Sequence, residues 1–91
     1  MSDTVEVRRR RALFRASHRG TKEMDWMLGK FAEAKLPGMS DPRLSAFELL
    51  LTVPDPQIND WLLKPENCDN PRYIEIIANI REFHDMGSIA S

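Results

Sequence analysis

The densest grouping of charged and hydrogen-bonding side chains in the chain is His18-Arg19-Gly20-Thr21-Lys22-Glu23-Met24-Asp25. A bare backbone at Gly20 would let another chain approach closely, and Arg19 and Glu23 would then meet that chain's charges together. A local explanation competes with this one. Gly20 would supply the positive φ that ends a helix, and Glu23 and Asp25 would sit in the first turn of the next helix, where the dipole favours acids. That explanation accounts for the glycine and the acids, but not for the crowding of His18, Arg19 and Lys22 around them. On the sequence alone both readings stand.

Other chemistries find less support. His18 and His84 are the only histidines and Cys68 the only cysteine, and no two of the three fall at metal-ligand spacing. Cys68 lies in a polar stretch between Pro65 and Pro71 with no histidine near it in sequence, which argues against a thiol nucleophile. Gly20, Gly29, Gly38 and Gly87 are scattered, so no phosphate-cradling loop or dinucleotide fingerprint forms. No catalytic, metal-binding or cofactor-binding residue is assigned, and the chain reads as a binding protein that is not an enzyme. A lone cysteine cannot form an internal disulfide and suits a reducing compartment. Met1 to Arg11 lacks the apolar stretch of a secretory signal, and no window approaches the roughly 20 apolar residues of a membrane span. A soluble, cytoplasmic protein without membrane insertion is expected.

The formal charge of −1 conceals a dipole. Residues 1–23 carry seven basic groups against three acidic ones, and the remainder carries six against eleven. Four consecutive arginines, Arg8 to Arg11, make up much of that basic end. They are either a solvated helix face or a docking patch for phosphate or an acidic surface. A small nucleic-acid-binding helical domain is therefore the alternative function. The acidic body, a pI near 6.1 and the absence of aromatic residues among the arginines weigh against it. Trp61, between Ile58 and Leu62, reads as core. Trp26 falls about 100° off the stripe of Met24, Met27 and Phe31, so partial exposure and a contact role are expected.

The elements that must position these residues are helical. An Asx-Pro pair precedes an apolar run three times, at Asp41-Pro42, Asp55-Pro56 and Asn70-Pro71, and each reads as a capped helix start with proline in the first turn. The runs are Leu44, Phe47, Leu50 and Leu51; then Ile58, Trp61 and Leu62; then Tyr73, Ile76, Ile77, Ile80 and Phe83. Spacings of three and four residues place each set on one helix face. Pro54 and Pro65 end the first two, and Gly87 offers a left-handed cap for the last. Met24, Met27, Leu28 and Phe31 form a further stripe, closed at Leu36-Pro37-Gly38, and Ala12, Leu13, Phe14 and Ala16 lie in an arginine-rich helix with a thin apolar face. The expectation is one all-α domain spanning 1–91, a compact five-helix bundle ordered from about residue 8 to 86 with flexible ends.

The stretch from Arg11 to Ala32 resembles the SdhE family of succinate dehydrogenase assembly factors, particularly its alphaproteobacterial members. The family's Arg-Gly-x-x-Glu hallmark, often extended by x-Asp, is intact as Arg19, Gly20, Glu23 and Asp25. Phe47, Leu50 and Leu51, then Asp55-Pro56, Ile58 and Trp61-Leu62, match its later pattern. Arg-Gly-x-x-Glu alone recurs by chance; with the later segment at the right distance it is fairly specific, and the likeness runs from about residue 8 to 84. Trp26 stands where an aliphatic residue is common. The resemblance implies a cytoplasmic five-helix bundle that binds the flavoprotein subunit of succinate dehydrogenase, often also that of fumarate reductase, and promotes covalent attachment of FAD. It implies that Arg19, Gly20 and Glu23 lie in the partner interface with His18 and Asp25 as neighbours. It implies too that FAD is handled on the partner and not bound stably here.

Overall fold

The computed structural model of the protein describes residues 4–86, and five α-helices account for most of them: α1 (Val5–Ser17), α2 (Lys22–Lys35), α3 (Asp41–Leu50), α4 (Asp55–Leu63) and α5 (Pro71–Phe83). Single 3-10 turns, Leu36–Gly38 and Pro65–Asn67, lead from α2 towards α3 and from α4 towards α5. No strand occurs among the described residues, so the all-α expectation holds. Helical spacing in α5 outweighs the β-propensity of its isoleucines. No helix among the described residues is long and apolar enough to cross a membrane.

The apolar faces expected from the spacing meet in one core. Leu28 and Phe31 of α2, Leu44, Phe47 and Leu50 of α3, Ile58 and Leu62 of α4, and Ile77 and Ile80 of α5 are its largest fully buried side chains. Burial of each is worth roughly 1.5–3 kcal/mol relative to exposure. Phe31 ties three helices together, with its ring 5.6 Å from Phe47 and 5.7 Å, edge-on, from Phe83. Trp61 is buried as expected, stacked 5.4 Å from Tyr73. Cys68 is buried as well, although its neighbours in sequence are polar.

Helix α1 buries Ala12 and Ala16 and packs a half-buried Leu13 against the core, which confirms its thin apolar face. Small residues suit it because α1 lies very close to α2. A Cβ added at Gly29 would stand 3.0 Å from Ser17 Oγ and 3.4 Å from Ser17 Cα. Ser17 against Gly29, with Arg9 and Leu13 facing Ala32 and Leu36 across a shared recess, sets the two helices antiparallel. The first two turns of α2 therefore project past the end of α1, and residues 18–21 fold back beside them.

The helix ends differ from the sequence reading in an informative way. Thr4 caps α1, its hydroxyl accepting from Val7 N–H at 3.1 Å, so that helix begins at Val5, ahead of residue 8. Asn70 caps α5 as expected, accepting from Arg72 N–H at 3.0 Å. Asp41 and Asp55 do not cap. Ser40 and Pro54 occupy the cap positions of α3 and α4, and the carboxylates instead reach Arg8 of α1 and Arg19 of the turn after it. Helix α5 closes at Asp85, whose φ of 59° is left-handed, with Asp85 N–H donating to Glu82 O at 3.1 Å and Met86 N–H to Arg81 O at 2.8 Å. These two bonds form a Schellman closure, with Met86 packed on the core behind it. The left-handed cap expected at Gly87 lies outside the described residues.

The arginine run is engaged within the fold. Arg8 clasps α3, donating to Glu48 at 2.7 Å, Asp41 at 2.8 Å and Ser45 at 3.0 Å. Its hydrogen bonds to Glu48 and then Asp41 raise its already high pKa further. Arg9 donates to Met39 O at 3.1 Å. These contacts account for two of the four arginines that motivated the nucleic-acid alternative.

Candidate functional site

Residues 18–21 join α1 to α2, and the contacts of Arg19 decide their path. Its side chain is only 11% exposed and points inward. Nε donates to Asp55 Oδ1 at 2.8 Å, one terminal nitrogen to Leu51 O at 2.9 Å and the other to Val53 O at 3.0 Å. The planar fork thus pins the α1–α2 turn to the start of α4 and to two carbonyls that follow α3 with no helical N–H of their own to meet. Asp55 completes the clasp by accepting from Gly20 N–H at 2.9 Å through Oδ2. Asp25 accepts from the Arg19 backbone N–H, and Thr21 caps α2 by accepting from Met24 N–H at 3.2 Å.

Gly20 has another role than the one expected of it. No glycine among the described residues has a positive φ, so its conformation does not require glycine. The residue is exposed, and a Cβ there would lie 3.4 Å from Asp55 Oδ2, an ordinary contact. What glycine provides is a strip of backbone with nothing standing above it.

The result is an open cleft of about 820 Å³, walled by His18, Arg19, Gly20, Thr21, Glu23 and Met24 on one side and by Asp55, Pro56 and Asn59 of α4 on the other. A second recess of about 530 Å³, between α2, α3 and α5, contains none of the motif residues. Of the five residues expected to bind a partner, His18, Gly20 and Glu23 are exposed, whereas Arg19 and Asp25 are partly buried and bonded within the turn. Glu23 makes no ion pair or hydrogen bond to the described residues, and Thr21 already performs the capping that an acid could have offered. His18 stacks on Phe14 with ring centroids 4.0 Å apart, and its Nδ1 lies 2.8 Å from Phe14 O. Because a carbonyl only accepts, Nδ1 carries the hydrogen, and Nε2 of the neutral ring is left as an acceptor. Phe14 is 63% exposed, so this stacked pair forms an apolar ledge beside the cleft.

Trp26 is 54% exposed, in keeping with its angular offset, and packs on His84 at 4.8 Å. Sequence reasoning missed Asp55, Pro56 and Asn59 as cleft residues. The signal for Asp55 was present, since an arginine directed inward needs a carboxylate, but the Asx-Pro pattern explained that aspartate locally. Among the described residues no group of three or more His, Cys, Asp or Glu could hold a metal ion.

Comparison with known proteins places these residues in a wider set. The family described as "Flavinator of succinate dehydrogenase" matches residues 10–84. A protein from Acetobacter pasteurianus described as "FAD assembly factor SdhE" is 47% identical over 83 residues, covering 87% of this chain and 76% of that protein. One of the same description from Legionella pneumophila is 32% identical over 77 residues, covering 85% of this chain and 96% of that protein. "Succinate dehydrogenase assembly factor 2, mitochondrial" of Dictyostelium discoideum is 37% identical over 77 residues, and this chain spans about half of it, 55%. No solved structure matches with significance.

Proposed function

The chain belongs to the family of succinate dehydrogenase flavinators, and on that footing we propose that it is an assembly factor that binds the flavoprotein subunit of succinate dehydrogenase and promotes covalent attachment of FAD to it. The observation that carries the site assignment is the cleft at residues 18–23, where the family hallmark coincides with a strip of exposed backbone and a carboxylate lacking a partner among the described residues. Gly20 would admit the partner's main chain, Glu23 and His18 would meet its polar groups, and Arg19 and Asp25 would hold the turn in shape. The flavoprotein subunit of fumarate reductase is a second client in this reading, and the cytoplasm is the compartment.

In this mechanism the chain acts without catalytic groups of its own. FAD would supply the reacting carbon and the flavoprotein the side chain that bonds to it. The contribution of this chain is to bind and hold the subunit. The cleft does not suit FAD itself. The one arginine that lines it is committed to Asp55 and to the carbonyls of Leu51 and Val53, which leaves no free cation for a diphosphate. That commitment supports a partner that carries the flavin and an assembly factor that binds none stably.

Co-purification tests the proposal. Tagged protein expressed at its native level should retain the flavoprotein subunit of succinate dehydrogenase from a cleared lysate, and recovery of that subunit no better than from an untagged control would overturn the reading.

A further inference from the structure

The charge balance of the cleft identifies what enters it. Arg19 and Asp55 neutralise one another at 2.8 Å, and the Nδ1–H of His18 is taken up by Phe14 O. Glu23 is the other carboxylate that lines the cleft, and it has no partner among the described residues. Lys22 is exposed next to it in sequence but does not line the cleft. Glu23 is the second residue of α2, one short of the position from which an acid reaches back to the capping residue, so its only local return is the helix dipole, worth roughly 0.3–1 kcal/mol. His18, whose ring stacks on the exposed Phe14, lines the same opening. A carboxylate without an internal counter-charge, beside a stacked aromatic pair, suits a cationic N–H donor.

We infer that the cleft receives a lysine or arginine side chain of the flavoprotein subunit, ion-paired to Glu23 and laid against the Phe14–His18 ledge. This inference rests on the proposed function and adds the chemistry of the group received. It is opposite in sign to the expectation raised by Arg8 to Arg11, a docking patch for phosphate or an acidic surface. The arginines responsible for that expectation are in part bound to α3 and Met39, and the opening itself is acidic.

The test is the binding of purified apo-flavoprotein subunit to the full chain, measured by calorimetry across a range of salt concentrations. Glu23→Gln should weaken binding about tenfold and flatten its salt dependence, and Glu23→Lys should weaken it further, to roughly fiftyfold. Melting temperatures of both variants should stay near that of the parent, because the side chain makes no ion pair or hydrogen bond among the described residues. Equal affinity in all three proteins, or tighter binding by either variant, would overturn the inference while leaving the function standing. Failure of the unaltered chain to bind the subunit would instead remove the proposed function, and the inference with it.

Discussion

Arg19→Ala is expected to lower the stability of the fold by about 2–3 kcal/mol, the range for removing one member of a largely desolvated pair. The substitution leaves the Asp55 carboxylate, itself 19% exposed, with the Gly20 amide alone. It also strands the carbonyls of Leu51 and Val53, which have no other hydrogen bond into the turn. In a domain of this size each kcal/mol moves the melting temperature by roughly 4–8 °C, so a fall of about 10–20 °C should appear in thermal unfolding followed by circular dichroism. Arg19→Lys should recover less than half of it, because an ammonium keeps the charge but cannot span three acceptors in one plane. Asp55→Ala should cost a similar amount, and the double variant should cost less than the two together, since both delete the same clasp. A melting temperature within 2 °C or so of the parent for Arg19→Ala would show that the clasp is not what holds the turn.

Gly20→Arg should have the opposite profile, a fold left nearly intact and partner binding abolished. The φ at Gly20 is not left-handed and the new Cβ would make ordinary contact with Asp55 Oδ2 at 3.4 Å, so the backbone accepts a side chain without strain. Beyond Cβ, the arginine would extend into the cleft, covering the uncovered backbone and setting a cation beside Glu23. Steric exclusion and a charge of the wrong sign together should reduce affinity for the flavoprotein subunit at least a thousandfold, about 4 kcal/mol. Calorimetric binding alongside a melting curve separates the two effects. Binding within tenfold of the parent would place the interface away from the cleft.

These two variants divide the hallmark by role, a division that spacing could not make. Arg19 and Glu23 look alike in sequence, two charges four residues apart about a turn. In the fold one faces inward to a carboxylate 36 residues away and the other faces solvent. Which way a side chain in a turn points depends on what packs beneath it. Here that is the start of α4, whose position follows from Ile58, Trp61 and Leu62 entering the core.

Local pattern was a good guide where one helix determined the outcome. The stripe of Met24, Leu28 and Phe31, the burial of Trp61, the exposure of Trp26 and the cap at Asn70 all follow from periodicity or from contacts within three residues. It failed where a polar group had a choice of partners. Asp41 and Asp55 sit beside prolines at helix starts and have the composition of caps, yet arginines from α1 and the following turn claim both. A cap offers the carboxylate only a neutral backbone N–H, whereas a guanidinium brings a full opposite charge as well as its donors. The fold engagement of Arg8 was illegible for the same reason. Its partners Asp41, Ser45 and Glu48 line one face of α3, some 33–40 residues along the chain. Gly20 fits as well, since a glycine kept for access looks the same in sequence as one kept for a left-handed turn.

The most direct measurement of the central claim is in-gel flavin fluorescence of the flavoprotein subunit of succinate dehydrogenase. It is compared between cells that carry this gene and cells from which it is deleted, after denaturing electrophoresis has removed all flavin not covalently attached. The account predicts that the fluorescent band is lost or strongly diminished in the deletion strain while the subunit itself remains detectable. It predicts that the parent gene restores the band and that Gly20→Arg does not. A band of undiminished intensity in the deletion strain would contradict it.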